Sequence, residues 1–388
     1  MYTAVMAAAR LIERESNPFR PDFGISPVMW AGRNQVLTEF RALMESHRNG
    51  ASRSTVISGL RGTGKTALLN EMEEIAATQG WVILRTGAQA YAYDKLVDTD
   101  IPALLARYEK PHSRISRVSV PGIGAVDLEG QHAAVPKPEL EHSLRELLSR
   151  VMERGAGVVI SMDEAQHFDG DFVHRLATAV QNINRDELPI ALLVAGLPAG
   201  INALLSLPGT TFLRRARRYL LGPLSPADTR ANFADTALTT SVHFDEAGLE
   251  RITAFSHGYP YLVQLAGWLA WNAAANGSGL IDSHTVEGIE AEAISRLGSQ
   301  VHSPQLRDVT SAQLEFLEAL AAVCDDQQRA PIGAIADTMG RSVKSLSDVR
   351  KKLIDAELII APSHGVVQFV LPYMADYLNH PSDTITVW

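Results

Sequence analysis

The chain has 388 residues, 46% hydrophobic and 20% charged, with a formal net charge of −9. That length allows two or three domains, and the balance gives no global sign of a nucleic-acid coat or an anionic-membrane binder, so any such surface must be local. One cysteine, Cys324, excludes an intrachain disulfide and a cysteine zinc site and fits a reducing cytoplasm.

No apolar run approaches the ~20 residues that span a bilayer. The first 15 residues lack a basic stretch ahead of an apolar core, so neither a membrane span nor a signal peptide is expected. Residues 1–26 read as a short amphipathic helix and an extended strap, because Pro18, Pro21 and Pro27 forbid helix across 17–27. A helix over 34–47 and a polar turn then lead to Thr55-Val56-Ile57-Ser58, a buried apolar strand.

Gly59-Leu60-Arg61-Gly62-Thr63-Gly64-Lys65-Thr66 follows, with a helix over 67–77. This is G-x-x-x-x-G-K-T in the strand–loop–helix setting of a phosphate loop. Its glycines let backbone N–H groups curl around an anion without Cβ clashes. Lys65 has the reach for β- and γ-phosphates, the Thr66 hydroxyl suits Mg²⁺, and the helix opening at Ala67 turns its positive dipole end to the phosphates. ATP and Mg²⁺ are therefore the expected cofactors, the bland alternative being a Gly-rich turn before a helix. The strap with Phe19, Phe23 and Trp30 is placed either to wall an adenine ring or simply to anchor in a core.

A second strand is expected over 81–86 and a helix over 93–108. Residues 112–135 alternate apolar and polar around Pro121-Gly122, the signature of a β-hairpin inserted into a βα series, as a contact element or a passive flap. After a helix over 138–154, Val158-Val159-Ile160-Ser161-Met162 ends in Asp163-Glu164. A buried strand of this kind delivers Asp163 to the Mg²⁺ shell and Glu164 to the attacking water. The string Asp163-Glu164-Ala165-Gln166 is also met in helicases, but no other helicase motif accompanies it.

The next buried strand, over 188–198, ends in Ala195-Gly196-Leu197-Pro198, so γ-phosphate sensing there is absent or falls to the backbone. Arg214, Arg215, Arg217 and Arg218 precede the last core strand, expected over 220–224. They suit an arginine finger for a neighbour's γ-phosphate, Arg214 and Arg215 better than the other two, or else a solvated basic turn. Residues 225–298 are helical in pattern, with Ser225 as N-cap and Asp228 three residues on. Within them Gly258-Tyr259-Pro260 can bring Pro260 against a base, while His257 reads as structural.

Residues 299–309 read as a polar linker. Helices over 311–323, 332–339 and 343–356 and a hairpin over 358–371 then make a winged helix. Its third helix and the turn before it carry Arg341, Lys344, Arg350, Lys351 and Lys352, a surface for double-stranded DNA. Against that, residues 311–388 hold six Lys and Arg and ten Asp and Glu, a formal −4, and the wing turn has no basic residue to grip phosphate. Docking of a protein partner is the other reading.

On these motifs the chain from about Pro18 onward resembles an AAA+ ATPase of the origin-recognition initiator type. The resemblance implies an α/β fold: a three-layer P-loop NTPase sandwich over 27–224 with about five parallel strands, a helical lid over 225–298 and a winged helix over 310–388. It also implies ATP hydrolysis, with residues 59–67 on phosphate, Thr66 and Asp163 on Mg²⁺, Glu164 on water, and Arg214 or Arg215 as the finger, which in trans requires a homo-oligomer. Two departures, Ala195-Gly196-Leu197-Pro198 and Gly258-Tyr259-Pro260, look more like signal-transducing STAND and archaeal-type ATPases. They favour a slow nucleotide-controlled switch over fast hydrolysis and an origin-binding role.

Overall fold

The structure, a computed structural model, describes residues 16–45, 53–89, 91–108, 139–207, 209–275 and 277–380. Most of the expected N-terminal helix and all of the expected 112–135 hairpin lie outside them. The chain groups into two compact units. One comprises Val36–Gly59 and Leu68–Leu220, the other Met1–Gln35, Leu60–Ala67 and Leu221–Trp388. The phosphate-loop residues thus group with the C-terminal half of the chain and not with the sheet.

The first unit is built on a five-stranded sheet. In chain order the elements as far as the last strand of that sheet are α1 (Asn34–Glu45), β1 (Thr55–Gly59), α2 (Lys65–Thr78), β2 (Val82–Thr86), α3 (Ala92–Lys95), α4 (Ile101–Tyr108), α5 (Leu140–Met152), β3 (Val158–Met162), α6 (Gly170–Arg185), β4 (Ile190–Gly196), α7 (Pro198–Ser206) and β5 (Arg217–Leu221). A π-helical turn, Leu96–Asp100, joins α3 to α4, so the helix expected over 93–108 is continuous but locally underwound.

The strand order is β2-β3-β4-β1-β5, and β4 pairs in parallel with both β1 and β3. Every residue of β3 and β4 is buried, as expected of central parallel strands covered by helices on both faces. Leu144, Leu147, Leu148, Leu176, Val180 and Ile183 come from those helices and complete one apolar cluster with the strands.

The last strand corrects a sequence expectation. It starts at Arg217, three residues before the expected position, so Arg217 and Arg218 lie in the strand itself. As an edge strand, β5 needs ladder bonds but little side-chain burial, which leaves room for exposed arginines. Arg217 N–H donates to Ser54 O at 3.1 Å, and the Arg217 and Tyr219 side chains both reach Glu39.

The second unit is largely helical: α8 (Pro226–Ala237), α9 (Glu246–Phe255), α10 (Pro260–Ala275), α11 (Ser283–Leu297), α12 (Ser303–Leu306), α13 (Ser311–Val323), α14 (Ile332–Thr338), α15 (Ser347–Asp355) and α16 (Met374–Asn379). Ser225 caps α8, its hydroxyl accepting from Asp228 N–H at 3.1 Å, as the sequence predicts. Helix α10 is apolar nearly all round and correspondingly buried. Phe19 of the strap is buried against it beside Gly267, and Asn17 Nδ2 donates to Trp268 O at 2.9 Å. Small strands add to the helices: β6 (His243–Phe244) with β7 (Leu280–Ile281), and β8 (Arg329–Pro331) with β10 (Val366–Phe369) and β9 (Ile359–Ile360) in the order β8-β10-β9.

Three further differences from the sequence reading stand out. The expected linker over 299–309 continues α11 as a π-helical turn, Gly298–His302, and then α12, because Gly298, Val301 and His302 turn inward and are buried. The expected third C-terminal helix opens as a 3₁₀ turn, Val343–Leu346, before α15. Strand β8 and helix α16 escape the sequence reading, being only three and six residues long. Among the described residues no helix is long and apolar enough to cross a membrane.

His302 is 1% exposed, packs against the Tyr377 ring at 5.5 Å between centroids, and among the described residues has no hydrogen-bond partner of good geometry at either ring nitrogen. Burial pushes its pKa down from 6.5 to about 4, with the Pro372 backbone pulling weakly the other way. The unfolded chain therefore takes up this proton first as pH falls. The folded state is undisturbed above about pH 6.5 and loses stability down to about pH 4, by roughly 3 kcal/mol at the bottom of the window. Urea denaturation at pH 7 and pH 4.5 should show His302→Phe losing about 2 kcal/mol less than the parent between the two.

Candidate functional site

The phosphate-loop residues take the form their sequence requires. Gly62 and Gly64 both lie at positive φ, +71° and +88°. Thr63 Oγ1 and Lys65 Nζ both donate to Leu60 O, at 2.8 and 2.9 Å, and both side chains are buried. The loop therefore closes on one carbonyl, and helix α2 starts at Lys65 with its N–H end towards the loop.

Within the same unit, the turn before α10 covers this loop. Tyr259 OH donates to Arg61 O at 2.9 Å and Tyr261 N–H donates to Gly62 O at 3.3 Å. A Cβ at Gly62 would stand 1.9 Å from the Tyr259 hydroxyl. Tyr259 is 3% exposed, and burial drives its hydroxyl pKa up, so it acts as a neutral donor. Pro260 is the first residue of α10, next to Tyr259. Phe23 of the strap stacks on Tyr261 at 5.4 Å between centroids and is 67% exposed. The strap thus serves two ends: Phe19 anchors in the core, and Phe23 presents an open aromatic face. His257 sits at φ +50° with its ring edge-on to Tyr373, and burial lowers its pKa.

In the sheet unit, Ser58 pairs with Gly196 and Met162 with Val194. Strands β1, β4 and β3 therefore end side by side at one edge, and β3 hands over to Asp163 and Glu164 there. Asp163 Oδ1 accepts from Glu164 N–H at 2.9 Å. Glu164 is at φ +52°, in the left-handed region that a residue with a Cβ adopts rarely, and it caps the 3₁₀ turn Ala165–His167. Its carboxylate accepts from Gln166 Nε2, while Gln166 Oε1 accepts from Leu197 N–H at 3.2 Å.

Arg214 and Arg215 end the 3₁₀ turn before β5, and both are exposed. Arg214 Nε donates to Leu205 O at 3.1 Å, which ties it to its own unit. Of the basic residues near the C-terminus, Arg341 pairs with Glu315 at 3.0 Å, Lys344, Lys351 and Lys352 are exposed, and Arg350 is half-buried. Sequence reasoning missed Tyr259 and Gln166 as parts of the site. Nothing local marks either, since each acts on a residue that only the fold brings near.

Residues 29–194 match the family of the AAA ATPase domain, and residues 299–378 match a domain of unknown function (DUF8462). No curated protein matches the chain. Among solved structures, the Walker-type ATPase of Pyrococcus abyssi is similar at 13% identity and a TM-score of 0.63, over 92% of this chain and 99% of that one. The ORC2 protein of Aeropyrum pernix, solved as ADPNP–ADP complexes, is similar at 16% identity and a TM-score of 0.62, over 92% and 94%. Its ADP form gives 0.53 at 16% identity, over 93% and 96%. The fold is thus that of an α/β P-loop NTPase.

Two neighbouring glycines should respond differently to the same change. Gly64→Ala meets no atom of the described residues within 4 Å, so among them only its positive φ opposes it, at about 1–2 kcal/mol. Gly62→Ala must also displace the buried Tyr259 and should cost about 3 kcal/mol or more. Thermal melts of the two variants side by side check the order.

Proposed function

We propose that the protein binds and slowly hydrolyses ATP and works as a nucleotide-controlled switch, coupling nucleotide state to self-association and to DNA. The observation that carries this reading is the sheet edge. Strand β1 runs into Gly59–Thr66, β3 runs into Asp163-Glu164, and both end beside β4 in one register. The AAA ATPase domain match over residues 29–194 supports it.

In this reading the N–H groups of 59–67 and the ammonium of Lys65 bind the phosphates. The exposed face of Phe23 and the ring of Pro260 flank the base. The Thr66 hydroxyl and the Asp163 carboxylate are hard oxygen donors of the kind Mg²⁺ requires, and each is proposed as a ligand to it. When bound, Mg²⁺ neutralises charge that develops on the phosphate oxygens. Glu164 accepts the proton of the attacking water, and water enters in line with the leaving oxygen. An arginine from a second copy completes the charge balance. Arg215 is the better placed, since Arg214 already donates to Leu205 O.

Residues 310–380 carry the output. Helices α13, α14 and α15 with the β8-β10-β9 sheet fit a winged helix, and Lys344, Arg350, Lys351 and Lys352 would meet duplex phosphates. The Arg341–Glu315 pair and the local −4 favour the second reading, a protein-docking surface on the same domain.

Lys65→Ala should abolish binding of a fluorescent ATP analogue. Glu164→Gln should keep that binding and lower turnover by 10²-fold or more. Retained affinity in the first variant, or retained turnover in the second, would overturn the corresponding role. Labelled duplex DNA titrated with Glu164→Gln protein should bind with ATP, more weakly with ADP, and lose affinity steeply with salt. No binding at low salt in any nucleotide state would move the C-terminal domain to a protein partner.

A further inference from the structure

The carboxylate of Glu164 is not held by its own backbone alone. Gln166, two residues on, donates to it through Nε2 and accepts the Leu197 N–H through Oε1. One amide thus bridges the turn after β3 to the tip of β4. Two glycines make room for it. A Cβ at Gly196 would come within 3.1 Å of Gln166 Oε1, and one at Gly200 would come 2.4 Å from Gln166 Cβ. The side chain is therefore pinned at its head by two hydrogen bonds and along its stem by close backbone packing. The turn is fixed as well, since His167 N–H donates to Glu164 O at 2.9 Å.

We infer that Gln166 is a positioning residue for ATP hydrolysis. It fixes one oxygen of the Glu164 carboxylate and leaves the other to take the proton of the attacking water. This rests on the reading of Glu164 as the general base. Among uncharged side chains, an amide both donates to a carboxylate and accepts from a backbone N–H in one plane. Asn at 166 is one methylene too short to span both groups, and Glu would set a second carboxylate against the first. The bridge also gives the β4 tip, Ala195-Gly196-Leu197-Pro198, a part in the chemistry despite its lack of a polar side chain. Leu197 contributes its backbone N–H, and Gln166 carries the alignment of that N–H to Glu164.

The test compares steady-state kcat and KM for Gln166→Leu, Gln166→Ala, Glu164→Gln and the double variant Glu164→Gln/Gln166→Leu. The Kd of a fluorescent ATP analogue and circular dichroism are read on each. Loss of alignment should lower kcat by about 10- to 100-fold in both Gln166 variants, with Kd changed less than about threefold. The double variant should be no slower than Glu164→Gln alone, because both act through one carboxylate. If Glu164→Gln is slow but the Gln166 variants keep or raise kcat, the positioning role is wrong and the base assignment stands. If Glu164→Gln itself keeps turnover, the base assignment fails and the role of Gln166 falls with it. Parallel loss of kcat, nucleotide affinity and ellipticity in both Gln166 variants would make the residue structural and overturn the inference.

Discussion

Strand β4 is the constraint on which the sheet edge bearing Asp163 and Glu164 depends. Each of its residues, Ile190 through Gly196, is buried, and it is hydrogen-bonded to β1 on one side and β3 on the other. Polar backbone groups in such a place are satisfied only by the ladder, so the register is fixed. A slip of one residue would shift a strand end by about 3.3 Å and turn its side chains to the opposite face. The polar side chains at this edge are therefore held by the turns just past the strands. There Asp163, Glu164, Gln166 and the Leu197 N–H are gathered without any polar side chain inside β4.

The sheet unit and its motifs were legible because each rests on a local rule. Apolar runs of strand length marked β1, β3 and β4, glycine spacing marked the phosphate loop, and Ser225 marked the start of α8. What escaped was set by contacts distant in sequence. The start of β5 is fixed by pairing of Arg217 N–H with Ser54 O, which no propensity of Arg217 or Arg218 announces. The 299–309 stretch looked like a linker because its polar residues outnumber the inward-facing Val301 and His302. Tyr259 lies 198 positions from the carbonyl it binds, and Gln166 lies 31 from Leu197.

Within the helical unit, the 255–261 turn is a junction. On one side Tyr259 and Tyr261 N–H hold carbonyls of the phosphate loop. On the other, the Tyr261 hydroxyl donates to Gln300 in the π-helical turn, and the Tyr373 hydroxyl donates to Phe255 O at 2.8 Å. Aromatic side chains suit such a junction, since their rings fill apolar space while each hydroxyl reaches one defined acceptor. The residues read from sequence as phosphate binders and those of the C-terminal domain thus abut the same few residues.

The fit of Gly62 under Tyr259 bears on how this loop could be moved between proteins. Position 62 is closed to side chains by backbone geometry and again by a buried ring, while the Arg61 carbonyl depends on the hydroxyl of that ring. The loop and the turn at 256–261 are therefore one module in two pieces. A chimera that grafted residues 59–67 onto another sheet without a tyrosine opposite Gly62 would leave a cavity and an orphaned carbonyl. Transplanting the turn onto a loop with any larger residue at 62 would meet a clash. The two segments, far apart in the chain, travel together or not at all.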